Sequence, residues 1–505
     1  MNQSFRLLFF CAAVFWASLA TSFSQNDSTN KVAAFQEKLK AFVEHPRFDA
    51  ALFGVKVESL DTGKVIYENA ATKLLKPASN AKIYTGALAL DRLGADHKIR
   101  TSFYATAPVN KSGTINGDLI VYGRGDPSLS HRFNNGDYTK AFDQLVDALA
   151  DAGVKRIKGN LVGDDSFFRG APYGSNWSWE DFQYYYGAEV SALTLQENVV
   201  DLVLTPGEKI GDPVKITTKP ESDYLIFFNR TETVAAGGRR GISVHRPVDQ
   251  RIVYLSGTMP LGDSSEESVA VHNATLWFVH SLKNALQKRG IQVSGETRTI
   301  NWLDRDTNPF DASKYTEIAH VESRPMAEMV KNMMKPSQNL YAQLLLLQVA
   351  EKFRTPENKR TSSENLGLAE MKKFLAEAGV GSGDVLLEEG SGLSRGCLLK
   401  PASTIQLLKY MSKHRDADAF MDSLPLAGVD GTLRSRFKGT PAENNLRAKT
   451  GTIRYVSSLS GFVTTKARER LVFSIMLNNY SGGDGRSYTD QLGGMLATLD
   501  EKTGN

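Results

Sequence analysis

Three short motifs follow one another along this 505-residue chain: Ser79-Asn80-Ala81-Lys82, Ser337-Gln338-Asn339 and Lys449-Thr450-Gly451-Thr452. Together they supply a serine hydroxyl, a lysine three residues on to take its proton, a second hydroxyl to relay a proton, and a cation with a neighbouring hydroxyl to hold an anionic substrate end. A serine hydroxyl is a poor nucleophile until a base removes its proton. Lysine can be that base only if it is neutral near pH 7, and both burial and a second cation, Lys449, push its pKa in that direction. Asn339 can orient Lys82 and bond a substrate amide, while the backbone N–H groups of Ser79 and Thr452 can receive the charge that develops on the attacked carbonyl oxygen. The chemistry is acyl transfer without histidine: acylation of Ser79, then hydrolysis of the ester.

Each motif is common alone, so context selects among the copies. Ser28-Thr29-Asn30-Lys31 lies in a polar stretch, and Ser435-Arg436-Phe437-Lys438 belongs to a basic, solvated face. Ser79 instead follows Lys76-Pro77-Ala78 and opens an apolar run, 81–90, closed by Gly94, which is the punctuation of a buried helix. Residues i and i+3 share a helix face, so Ser79 and Lys82 can touch, and free N–H groups at the helix start favour negative charge there. The S-x-N pattern recurs at Ser24 and Ser363, but only Ser337 precedes a run, 339–347, too apolar for a surface helix. Lys449 lies between Leu446 and two alternating segments, 459–463 and 471–477, and reads as a strand of an antiparallel sheet.

Rival chemistries fail on residue types. Gly392-Leu393-Ser394-Arg395-Gly396 fits a nucleophile elbow, but that fold needs an acid and then a histidine downstream. His414 is the only histidine that follows, with no Asp or Glu between, and Pro401 comes too early for a long helix. The eight histidines form no H-E-x-x-H pair, so neither a metal nor a cofactor is expected. There is no P-loop, Gly123-Arg124-Gly125 lacks a third glycine, and Arg239-Arg240 is too short to suggest nucleic acid. A formal net charge of +4 decides little about partners.

The elements that must position these groups set the domain plan. Residues 1–24 hold one basic residue, Arg6, an apolar core over 7–20 and small residues at 22–24, the pattern of a signal peptide cut before Gln25. Its removal leaves Cys397 as the sole cysteine, so no internal disulfide is expected. No later stretch reaches eighteen apolar residues, so no stable membrane anchor is expected. Ser79 and Ser337 are 258 residues apart, whereas Ser337 and Lys449 are only 112 apart. One catalytic unit can hardly spend the longer span between side chains that must meet, so an inserted module is expected over 98–316, with an inner subdomain near 199–262. The catalytic unit then comprises 25–97 and 317–505. A hairpin, 53–57 turning at Asp61-Thr62-Gly63 into 65–67, joins the Lys449 strand in one sheet, covered by the helices that bear Ser79 and Ser337. The insert reads as strands at 101–105, 118–122, 199–204, 214–217 and 252–256, with helices near 141–152 and 274–289. The fold class is α+β.

Beyond the motifs, nearly the whole chain past the leader resembles the serine D-alanyl-D-alanine carboxypeptidases of the low-molecular-mass class C penicillin-binding proteins, peptidase family S13. The resemblance is carried by Gly117-Asp118-Leu119 with Gly123-Arg124-Gly125-Asp126-Pro127, by 159–168, by 177–195, by Gly390-Ser391-Gly392-Leu393-Ser394-Arg395, and by 424–433. It implies a β-lactamase-like transpeptidase domain with a large insertion between the first two motifs, acting in the periplasm or cell envelope. It implies trimming and cross-link cleavage of peptidoglycan stem peptides, with covalent inhibition by β-lactams. It also implies that Asp164 and Arg395 bind the side chain of the stem peptide's diamino acid. The cluster Trp177, Trp179, Phe182, Tyr184, Tyr185 and Tyr186 reads either as a sugar-stacking surface or as packing under a loop. Two departures are visible: Gln338 stands where the family motif has Asp, and Glu389 where it often has Asp. Alternative functions are a serine β-lactamase, which needs a residue to position a deacylating water that is not identifiable here, and a non-catalytic envelope sensor of penicillin or peptidoglycan. Oligomeric state is left open.

Overall fold

Along the segment Arg470–Asn478 every residue after the first is buried, and successive side chains enter two different cores. This strand is the centre of a five-stranded antiparallel sheet ordered Arg447–Ile453, Val456–Thr464, Arg470–Asn478, Leu52–Ser59, Val65–Asn69. The N-terminal hairpin thus closes onto the C-terminal one, with Val55 opposite Ile475. The computed structural model describes residues 31–504, so the leader expected over 1–24 lies outside the described residues.

One face of the sheet presents Phe53, Val55, Leu459, Ile475 and Leu477 to Leu492 and Leu496 of the helix Gly485–Leu496, and to Phe35 and Leu39 of a helix over 31–43. The other face presents Phe462, Val472 and Met476 to a helical layer. The sequence expectation that the Ser79 and Ser337 helices cover this face needs refinement. Pro401–Met411 is the helix laid on the sheet, and Ala81–Leu93 packs with Met326–Met334 and Asn339–Lys352. The reason is hydrophobicity: Asn339–Lys352 is buried at every position from Asn339 to Ala350, so it must be enclosed by other helices on all sides.

The strands between the first two motifs build a second five-stranded sheet, ordered Thr297–Ile300, Leu161–Asp164, Leu119–Tyr122, Arg100–Ala105, Thr316–Glu322. The first two pairings are parallel and the last two antiparallel. The helices Lys140–Asp151 and Ala274–Lys288 pack on it. The chain enters on Arg100–Ala105 and leaves on its neighbour Thr316–Glu322, so this sheet extends past residue 316. Because the two strands are adjacent, Met326 N and Ala327 N reach the His97 and Ala95 carbonyls, each within 2.9 Å. A long excursion therefore returns the chain to where it departed.

Two three-stranded sheets sit farther along the excursion. One is ordered Ser265–Ala270, Val199–Thr205, Lys215–Lys219, and the other Ile226–Val234, Ile252–Pro260, Gly241–His245. Ile226–Val234 escapes sequence reading because half of its side chains, such as Arg230 and Glu232, face solvent. Among the described residues no helix is long and apolar enough to cross a membrane.

Candidate active site

Ser79 lies on a 3-10 turn, Ala78–Asn80, that runs into the helix Ala81–Leu93. Tight turns bring i and i+3 together, and Lys82 Nζ lies 2.9 Å from Ser79 Oγ. The same nitrogen donates to Asn339 Oδ1 at 2.6 Å and to the Ser391 carbonyl at 2.8 Å. Lys82 is completely enclosed, whereas Ser79 is only half-buried and open to a substrate. Burial pushes the lysine pKa down to about 7, with the Glu389 carboxylate opposing that fall.

The third motif closes over the turn from the sheet edge. Lys449 Nζ donates to Ser337 Oγ and to the Thr450 carbonyl, both at 2.8 Å, and Thr450 Oγ1 donates to Thr432 Oγ1 at 2.8 Å. Lys449 is fully buried, and that burial, with the charge of Lys82 behind it, drives its pKa well below the usual lysine range. Gly451 runs against the Ser79 turn, and Ser458 Oγ donates to the Pro77 carbonyl at 2.6 Å to hold the turn on the sheet. Two non-glycine residues here are left-handed, Ala78 at φ 47° and Ser337 at φ 68°. Such conformations cost about 1–3 kcal/mol each and persist only where the surroundings enforce them.

A third wall comes from the loop at 389–395. The Glu389 carboxylate, fully buried, accepts the backbone N–H groups of Ser391 and Gly392, both at 2.6 Å. This holds the Ser391 carbonyl on Lys82, and the longer acid at position 389 therefore still organises the loop. Gly392, at φ 79°, lies so close to the Ala78 carbonyl oxygen that a Cβ would approach it to 2.0 Å. Ser394 of the rejected elbow is buried, with its hydroxyl bonded to Glu388.

Ser79, Lys82, Ser337, Asn339, Lys449, Thr450, Gly451 and Thr452 thus come together from a turn, a helix start and an edge strand. Asp164 does not join them. Its carboxylate is fully buried and paired with Arg305, at 2.5 Å from Nη2 and 2.8 Å from Nε. Burial raises the carboxyl pKa of another acid, the half-buried Asp181, and the Arg395 charge opposes that rise. Sequence reasoning missed Asp181, which no local signal marked. The aromatic run 177–186 splits by burial: Trp177 packs inside, while Trp179, Tyr184 and Tyr185 are exposed. The Tyr186 carbonyl accepts from Asn339 Nδ2 at 2.8 Å, so the run borders the site.

The Lys-Thr-Gly pattern is not confined to this centre. It recurs at Lys502-Thr503-Gly504, where Thr503 bonds Glu469 through its N–H and hydroxyl, and its carbonyl accepts from Lys64. Among the described residues no group of three or more His, Cys, Asp or Glu is placed to hold a metal ion. The site holds the groups needed to activate a hydroxyl, bind a carboxylate and shuttle a proton.

Comparison with known proteins gives a consistent picture. The model of a family described as D-Ala-D-Ala carboxypeptidase 3 (S13) matches residues 35–499. The chain is 31% identical over 468 residues to a D-alanyl-D-alanine carboxypeptidase from an Actinomadura species, covering 90% of this chain and 82% of that one. It is 27% identical over 449 residues to the D-alanyl-D-alanine carboxypeptidase DacB of Haemophilus influenzae, covering 86% and 87%. The crystal structure of penicillin-binding protein 4 from H. influenzae is similar with a TM-score of 0.76 at 26% identity, covering 92% of this chain and 99% of that one. The same protein complexed with a β-lactam gives a TM-score of 0.68 at 25% identity, covering 90% and 97%.

Proposed function

The chain belongs to the D-Ala-D-Ala carboxypeptidase 3 (S13) family, and we propose that its own residues perform this serine-type carboxypeptidase reaction on peptidoglycan stem peptides as follows. Neutral Lys82 takes the Ser79 proton as the hydroxyl attacks the carbonyl of the penultimate D-Ala. The backbone N–H groups of Ser79 and Thr452 receive the oxyanion. Lys449 and Thr450 hold the terminal carboxylate, whose charge favours protonated Lys449. Ser337 passes a proton to the departing amine of D-Ala, and Asn339 keeps Lys82 aimed. Water then hydrolyses the ester on Ser79.

A cross-link between two stem peptides presents the same D-Ala carbonyl with a different amine behind it. The same steps therefore give DD-endopeptidase activity. A β-lactam amide acylates Ser79 likewise, but its leaving amine stays tethered by the opened ring and resists expulsion. Arg395 offers a cation to the carboxylate, and Asp181 an acid to the ammonium, of a diamino-acid side chain. Such substrates lie in the periplasm or cell envelope, the destination that fits the leader expected at 1–24.

The observation that carries this reading is an enclosed lysine, its pKa near 7, within 2.9 Å of a half-open serine hydroxyl. D-Ala release from a pentapeptide, together with mass spectrometry of the penicillin adduct, tests it. Wild type releases D-Ala and carries the adduct on Ser79, and Ser79→Ala does neither. An adduct on Ser394, or undiminished release by Ser79→Ala, would overturn the assignment.

A further inference from the structure

We propose that Glu197, on the module between the first two motifs, is a positioning residue for the second motif, acting through Gln338 to hold Ser337 and Asn339 in register with Lys82 and Lys449. The inference rests on the roles given above to Ser79 and Ser337. Ser337 is left-handed, and so is not held there by its own backbone preference. The residue after it is fastened at both ends of its amide. Gln338 Oε1 accepts from Leu340 N at 3.0 Å, capping the helix Asn339–Lys352, and Gln338 Nε2 donates to Glu197 Oε2 at 2.6 Å.

Glu197 is built to receive that bond. It is almost fully enclosed, and its other contacts are Tyr341 OH at 2.8 Å and Arg132 at 2.5 Å and 3.0 Å. Its backbone is the middle of three consecutive left-handed non-glycine residues, Gln196, Glu197 and Asn198. The outer two are pinned into their own module. Gln196 bonds His131 N and the Tyr138 carbonyl, and Asn198 bonds the Glu189 carbonyl. Only Glu197 crosses to the catalytic helix. A strained turn that aims one buried carboxylate at the residue following the relay serine ties active-site geometry to the seating of the module.

Acylation by penicillin, followed with thermal unfolding, separates positioning from folding. Gln338→Ala leaves the Glu197–Arg132 pair in place but removes the helix cap, so it should unfold a few degrees below wild type and, while still fully folded at the assay temperature, acylate about 10- to 100-fold more slowly with unchanged reversible binding. Gln338→Glu sets two carboxylates against each other and should slow acylation at least as much. Adding Glu197→Gln to it restores a donor–acceptor pair with residue 338, at the loss of the Arg132 bond to Oε2, and should acylate at least about threefold faster than Gln338→Glu alone. Wild-type rates in both Gln338 variants, or no recovery in the double variant, would overturn the proposal. Wild type and Ser79→Ala are labelled in parallel: if wild type carries no adduct, the catalytic assignment fails first, whereas normal labelling with unaffected variants removes only the role of Glu197.

Discussion

Gly451 passes so close to Ser79 that a methyl group on its Cα would lie 3.0 Å from the Ser79 nitrogen and 2.5 Å from the Pro77 carbonyl oxygen. The strand that carries Lys449 is therefore docked on the nucleophile's own turn, and the separation between cation and hydroxyl depends on a missing side chain. Neither backbone partner can yield without moving Ser79.

Gly451→Ala should push strand and turn apart and reduce acylation by about 100-fold, the usual consequence of displacing reacting groups by about 1 Å. Stopped-flow acylation by a chromogenic β-lactam reads this directly. A rate within about threefold of wild type would show that the contact is unimportant.

Acylation should rise with pH through a midpoint near 7. Burial holds the folded-state pKa of Lys82 at about 7, so below that pH the amine is protonated and cannot act as base, and above it the amine is free. Acylation rates measured between about pH 5 and 8 check the sign. A profile that falls across this interval would contradict a lysine base.

Glu389→Gln should move that midpoint to lower pH. The Glu389 charge raises the Lys82 pKa against the effect of burial, and the amide removes the charge while keeping one acceptor for the N–H groups of Ser391 and Gly392. The same pH profile measures it. A midpoint that stays put or rises would show that the Glu389 charge does not act on Lys82.

Arg395→Ala should lower kcat/KM for stem peptides by about 10- to 100-fold, because the substrate carboxylate would lose its cationic partner. Acylation by a β-lactam with no diamino-acid side chain should change less than about threefold. Equal losses on both would indicate that Arg395 supports the loop at 389–395 rather than the substrate.

Ser79 and Lys82 were legible in the sequence because their pairing is local. Three residues span one turn of helix, so proline before and an apolar run after suffice to place them. The hairpin over 52–69, the helix starting at Ala274 and the strand of Lys449 were legible for the same reason, since periodicity and turn residues act over short distances. Asp164 and Asp181 show where this ends. Both are acids between the first two motifs, and nothing local distinguishes an acid neutralised by Arg305 from one left half-buried without an ion pair among the described residues.

The residue types and their order along the chain determined the reaction class, since a serine, two lysines and a second serine admit little else. Tertiary structure decided what those groups can do. Only the folded packing removes water from Lys82, docks Gly451 on the Ser79 turn and carries Glu197 across to Gln338, because desolvation and close approach arise between segments more than a hundred residues apart. A pKa near 7 is a property of that enclosure and is not written in any motif.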